Sequence, residues 1–349
     1  MVAAVLGAGL LAAAGCGGSS APGPGQAVLI GTYDSTTVVG QVLAAGRPLG
    51  ATSDSAGTTY LLNSPLMVGL STAGKGTSFA ATGSYFDAAL TEGLVAMPGG
   101  AVLFGHGAEV VRLDTGSGKT SVLAGDAHRT RGDTASAPAT ATPAGVRFTR
   151  NAVPIGVSRS GAVMIVDGRA LWSLAGGRLT RVYQQPAPAG GRDDSLIGRG
   201  SAVTADGTAY VRAAKNTPAT LAAVLVVPPH GTAAPLSLPA SIPGVSGRPA
   251  DLTPTWLAPD GANGLYVHAA QPSPGKGDYV LHVHDGTATL VMSAEPPASD
   301  AGTGTCHVRH PVDATRFPCP LPTTLSYHAG RLVLAGERPY AVRLVVSRG

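Results

Sequence analysis

Apolar and polar positions alternate along this chain in one recurring unit. A turn rich in Gly, Asp, Ser or Pro feeds a short β-branched and aliphatic run, and this happens about six times. Residues 60–62 follow the turn Asp54-Ser55-Ala56-Gly57, and residues 101–104 follow Pro98-Gly99-Gly100. Residues 162–166 follow Ser158-Arg159-Ser160-Gly161, and residues 208–211 follow Ala205-Asp206-Gly207. Residues 265–267 follow the turn 259–264, and residues 331–334 follow His328-Ala329-Gly330. A third strand comes after most of these, at 109–113, 170–174, 224–227 and 279–283. A fourth is visible at 179–183, after Gly176-Gly177. Short strands in fours at this spacing predict an all-β fold, a β-propeller of about six four-stranded blades. One blade cannot bury both of its faces; stacking blades around an axis buries them.

The ring has to close. The last unit ends near residues 340–346 and lacks an outer strand, while the β-branched segment 36–43 precedes the first unit without a blade of its own. The expectation is that this N-terminal segment pairs with the last blade as the clasp.

The chain opens MVAAVLGAGLLAAAGCGGSS, and Val2 to Gly15 carry no charge. That run is shorter than the ~20 residues of a membrane span and fits the apolar part of a secretory signal. Ala13-Ala14-Gly15-Cys16 resembles the lipobox of bacterial lipoproteins, with Ala13 where that motif usually has Leu, Val or Ile. The resemblance implies that Cys16 receives a diacylglycerol and becomes the mature N-terminus, at the outer face of the cell membrane. The Gly-, Ser- and Pro-rich stretch that follows reads as a tether. The expected domains are therefore a signal peptide at 1–16, a flexible tether at 17–27 and the propeller at 28–349.

Composition changes this picture little. The 349 residues are 44% hydrophobic and 13% charged, enough apolar material for a large core. The net charge of +4 is spread thinly, without the basic stripe and interleaved aromatics of a nucleic-acid binder. With Cys16 lipidated, Cys306 and Cys319 remain as an even pair. Outside the cytosol such a pair oxidises, and closing its loop contributes about 3 kcal/mol.

Residues 122–182 resemble an NHL repeat. The matching positions are Ala124-Gly125, Gly132, Pro138-Ala139, Pro154-Ile155-Gly156-Val157, Gly161-Ala162-Val163 and Asp167, with Gly168-Arg169 where the family has Asn and Arg. The resemblance implies a propeller, commonly six-bladed, that serves as a ligand-binding platform, and it implies no reaction.

Candidate chemistry is sparse. Gly116-Ser117-Gly118-Lys119-Thr120 looks like the end of a phosphate-binding loop, but position 113 is leucine and no strand-to-helix context is present, so a hairpin turn is expected. His282 and His284 share one strand face, and His307 and His310 lie nearby in sequence, yet no third metal ligand at a fixed spacing accompanies them. Arg131-Gly132-Asp133 is a chance-level tripeptide. Asp206 and Asp260 lack the alternating carboxylates of a calcium loop and read as turn residues. Asp193-Asp194 is a carboxylate pair in a Gly-rich loop. No G-x-S-x-G is present.

Two long insertions remain, at about 126–151 and 295–322. The first carries His128, Arg129, Arg131 and Arg147, the second His307, Arg309, His310 and Arg316 around the cysteine pair. On one face they would form a basic rim for a protein or an anionic envelope polymer. The leading expectation is thus a cell-envelope lipoprotein whose propeller binds a partner without catalysis and without a cofactor. The competing one is a lyase- or lactonase-type propeller enzyme with an axial metal.

Overall fold

The computed structural model describes residues 21–32, 36–44, 48–63, 66–79, 91–126, 139–149, 151–186, 195–213, 220–272, 277–294 and 306–346. These form six antiparallel blades. Blade 1 is Gly50–Ser53, Thr59–Asn63, Leu66–Leu70 and Gly76–Phe79. Blade 2 is Thr91–Met97, Ala101–His106, Glu109–Asp114 and Thr120–Gly125. Blade 3 is Ala152–Val157, Val163–Asp167, Ala170–Ala175 and Arg178–Gln184. Blade 4 is Leu196–Val203, Ala209–Ala213, Val224–Val227 and Ala234–Pro235. Blade 5 is Thr253–Pro259, Leu265–Ala270, Asp278–His284 and Thr287–Ala294. Blade 6 is Thr324–His328, Arg331–Ala335, Tyr340–Val345 and, from the other end of the chain, Gln26–Thr32. The innermost strands touch in succession from blade 1 to blade 6, and blade 6 returns to blade 1.

Every anchor read from the sequence is the second strand of a blade. The turn before it has one recurrent geometry. In blades 1, 3 and 4 the fourth turn residue, Gly57, Gly161 or Gly207, sits at φ 82°, 84° or 94° and donates its N–H back to the first, Asp54, Ser158 or Thr204. A side chain at this φ is strained, so glycine marks the position.

The innermost strands are harder to see because glycines interrupt them, as at Gly50, Gly93, Gly156 and Gly198. Packing at the axis demands it: a Cβ on Gly198 would lie 2.5 Å from Val153 Cβ, and one on Gly50 would lie 2.6 Å from Leu94 Cβ. The apolar bulk sits between blades instead, as in the cluster of Phe104, Val111, Leu62 and Met67 between blades 1 and 2.

The clasp is real but its position differs from expectation. Gln26–Thr32 pairs with Tyr340–Val345, while residues 38–44 form a short helix, Val38–Ala44. Two local facts override the β-branched composition. Thr37 Oγ1 accepts the Gly40 N–H at 3.0 Å, an N-cap, and Val42 and Leu43 bury with Val39 at helical spacing. The helix packs Leu43 against Leu61 and Leu70 of blade 1 and Ala335 and Ala341 of blade 6.

Cys306 and Cys319 form a disulfide with Cα atoms 5.8 Å apart. Around it, part of the second insertion is built into the edge of the ring. Val312–Asp313 adds a fifth strand outside Gln26–Thr32, and Phe317 is fully buried with Tyr340 and Leu332 of blade 6 and Met292 of blade 5. The first insertion does the same three blades earlier. Thr140–Ala141 adds a fifth strand to blade 3, and Phe148 is fully buried among residues of blades 2 and 3.

Candidate functional site

Antiparallel alternation puts the six turns between first and second strands at one end of the ring. The other end carries the connections between blades; both long insertions start and finish there, and run along the outer edge of the ring, where Thr140–Ala141 and Val312–Asp313 pair with the outer strands of blades 3 and 6. His307, Arg309, His310 and Arg316 are exposed, alternating with buried Cys306, Val308, Ala314 and Phe317. Arg147 is likewise exposed between buried Val146 and Phe148. Cys16, His128, Arg129, Arg131 and Asp193-Asp194 lie outside the described residues.

The axial channel is a cavity of about 180 Å³ enclosed by all six innermost strands. Its lining is Gly, Ala, Val, Leu, Ile and Pro with Thr52, Ser53, Ser201, Ser326, Trp256 and Tyr327, and among the described residues no Asp, Glu, His or Cys lines it. The hydroxyls are engaged: Ser53 Oγ donates to Ser326 Oγ at 2.8 Å, joining blades 1 and 6, and Thr52 Oγ1 accepts the Ala96 N–H at 3.0 Å, joining blades 1 and 2. An axial divalent metal needs several carboxylate or imidazole ligands. These residues do not supply them.

At the turn end, Asp206 and Asp260 are spent on their own turns. Asp260 Oδ1 accepts from Ala262 and Gly264 N–H at 2.7 and 3.0 Å, and Asp206 Oδ1 accepts from Thr208 N–H at 3.0 Å. Asp206 is held below the usual carboxylate range, because its bonds to Thr204 and Thr208 outweigh the opposing effect of burial. His282 and His284 do face one side, with ring centroids 6.3 Å apart. His282 meets Asp260 Oδ2 at 3.0 Å and stacks on Tyr266 at 4.7 Å, which packs on Tyr327 of blade 6 at 5.1 Å. Burial, with Tyr327 and Asp260 beside it, raises the Tyr266 phenol. This is a layered polar seam between blades. No three His, Cys, Asp or Glu side chains among the described residues are placed to share a metal ion. The 116–120 segment spans the hairpin turn of blade 2, where Asp114 Oδ1 accepts from Ser117.

One buried constellation has no signal beyond a polar residue inside an apolar strand. His268, 3% exposed, has Nε2 at 2.6 Å from Asp278 Oδ1, and Nδ1 at 2.7 Å from Thr255 Oγ1 and 2.9 Å from the Thr323 carbonyl. The hydroxyl–imidazole–carboxylate order looks like a nucleophile relay. The bonds say otherwise. The Thr323 carbonyl can only accept, so Nδ1 carries a proton, and Thr255 Oγ1 donates to the His268 carbonyl at 3.1 Å. With Asp278 accepting at Nε2, the ring is an imidazolium. Burial pulls its pKa down, but the Asp278 charge and the bonds to Asp278 and Thr323 outweigh that and leave it raised. Its role is to tie blade 5 to the start of blade 6.

No family model matches this sequence, and no curated protein matches it either. Solved structures do resemble it in shape. A protein assigned as a gluconolactonase superposes with a TM-score of 0.51 at 12% identity, covering 93% of this chain and 94% of that one. Virginiamycin B lyase from Staphylococcus aureus gives 0.49 at 12%, covering 92% and 99%. The gluconolactonase XC5397 from Xanthomonas campestris gives 0.49 at 14%, covering 95% and 99%. At such identities the likeness shows the fold alone, a six-bladed propeller.

Proposed function

We propose that this chain is an extracytoplasmic binding module, carried on lipidated Cys16, whose propeller holds a protein or anionic envelope polymer without chemical conversion. The observation that carries the reading is the axial channel. Among the described residues its lining holds no carboxylate, imidazole or thiol to transfer a proton near neutral pH or to anchor a divalent metal. The disulfide supports an oxidising compartment. The exposed His307, Arg309 and His310, held on a segment pinned by Phe317 and the disulfide, support binding at the connection end.

The test is metal analysis of protein equilibrated with Ca²⁺, Mg²⁺ and Zn²⁺, together with co-sedimentation with purified cell-wall polymer. The expected result is no stoichiometric metal, with polymer retention that R309A/H310A weakens. Stoichiometric metal with lactone opening or with cleavage of virginiamycin B would replace the binding reading with the lyase or lactonase one. Mass spectrometry of the mature N-terminus checks the anchor: an unmodified Cys16 removes it.

A further inference from the structure

At the turn end, a second cavity of about 180 Å³ opens between blades 6 and 1. Two guanidinium groups enter it from adjacent strands of blade 6. Arg331 and Arg343 line it together with His328, Ser71 and Thr72, and no Asp or Glu is among the lining residues. The upper half of this inter-blade boundary is apolar, with Ala335 and Ala341 against Leu61 and Leu70. The lower half has cations where an apolar pair would pack.

Arg343 is only partly satisfied. One terminal nitrogen, Nη1, donates across the boundary to the Thr72 carbonyl at 2.6 Å, while its Nε is buried with no hydrogen-bond partner. The neighbouring charge that bears on it is a like one: burial first, then Arg331, pulls the Arg343 guanidinium down. A guanidinium keeps its proton all the same, so the site holds two cations side by side without a counter-charge among the described residues. Hydroxyl donors are also present. Ser71 Oγ accepts from the Lys75 N–H at 3.0 Å, which leaves its own hydrogen free to point elsewhere. Leaving a buried donor and a like-charge pair unmatched is costly unless a ligand matches them.

From this geometry we infer that the cleft between blades 6 and 1 binds a phosphate group, gripped by Arg331 and Arg343 with Ser71 and Thr72 as hydroxyl donors. A tetrahedral oxyanion offers several acceptors to forked guanidinium donors, and its negative charge meets both arginines. The volume suits one such group with a few waters and falls short of the ~300 Å³ at which drug-sized sites begin. The phosphate is either free or the exposed group of a phosphate-bearing polymer. The inference is independent of the rim at the other end of the ring.

The experiment is calorimetric titration of the full chain with inorganic phosphate at low ionic strength, with sodium chloride as the ionic-strength control. A parallel titration uses short poly(glycerol phosphate). Saturable phosphate binding is expected, weakened about tenfold or more in R331Q, the loss of one charge-assisted hydrogen bond. Arg331 is exposed, so this variant keeps the fold. R343Q should abolish binding, with its Tm recorded alongside. R178Q, at an exposed arginine of blade 3, should leave phosphate binding unchanged. Stronger binding of the polymer than of free phosphate identifies the polymeric source, and the reverse identifies the free ion. No saturable binding of either, or binding that R331Q and chloride leave untouched, overturns the site.

Discussion

Phe148 and Phe317 occupy equivalent places on opposite sides of the ring. Each is fully buried, each ends a long inter-blade connection, and each follows a two-residue strand added to the outer edge of the blade it precedes. Phe148 meets Trp172 edge-on at 6.3 Å, and Phe317 packs with Tyr340. The insertions thus act as wedges that hold blade 2 to blade 3 and blade 5 to blade 6. F148A and F317A should each cost about 3–5 kcal/mol in denaturant unfolding, as buried aromatic truncations do. The two losses should add, since the sites share no contacts.

The clasp predicts different outcomes for a deletion of the strand and a substitution in the neighbouring helix. Removing residues 21–32 strips the outer strand from blade 6 and should lower the Tm sharply. Replacing Leu43 by Ala in the helix should cost about 2–5 kcal/mol and leave the sheet signal in circular dichroism intact. Equal effects would mean that the helix, not the strand, closes the ring.

His268 should give the stability a pH dependence of known sign. Its folded pKa is raised above the ordinary histidine value of about 6.5. The imidazolium therefore contributes fully below that value, and its contribution is lost as pH rises through the folded pKa. The Tm difference between wild type and H268Q should shrink as the pH is raised through that interval. A difference that grows with pH would contradict the ion pair with Asp278.

Reduction should loosen one region selectively. C306S/C319S should lose about 3 kcal/mol by the loop-entropy estimate for this spacing. Hydrogen exchange should rise in 306–323 while blades 1 and 2 keep their protection. Tyr340 supplies a second tie there: its phenol, pushed up to about 12 by burial, stays protonated and donates to the Pro320 carbonyl at 2.6 Å. Y340F should add to the effect.

What the sequence made legible follows the physics of each position. The second strands stood out because each combines a left-handed glycine turn with a dense aliphatic run, as at Gly161 before Val163–Asp167. The first strands did not, because glycines required by close neighbours, such as Gly93, Gly156 and Gly198, break their apolar runs; Gly50–Ser53 reads as a loop in sequence. The clasp was misplaced because Gln26–Thr32 barely alternates in sequence, whereas 36–43 has the β-branched content of a strand and the capping threonine of a helix. His268 was invisible because its partners come from another strand and another blade. Arg331 and Arg343 gave no signal because their significance depends on Thr72, which folding brings in from the far end of the chain.

One consequence of the closure concerns force. Gly25 donates its N–H to the Val345 carbonyl at 2.8 Å, so the first and last residues of the antiparallel pair meet at the same end. Tension applied between them loads one hydrogen-bonded rung at a time, like a zip, rather than all rungs in parallel. Tension applied through the N-terminal side alone, as on a domain tethered there and holding a ligand at its far rim, would be borne first by this seam. The ring would open at blade 6 before any other blade yielded.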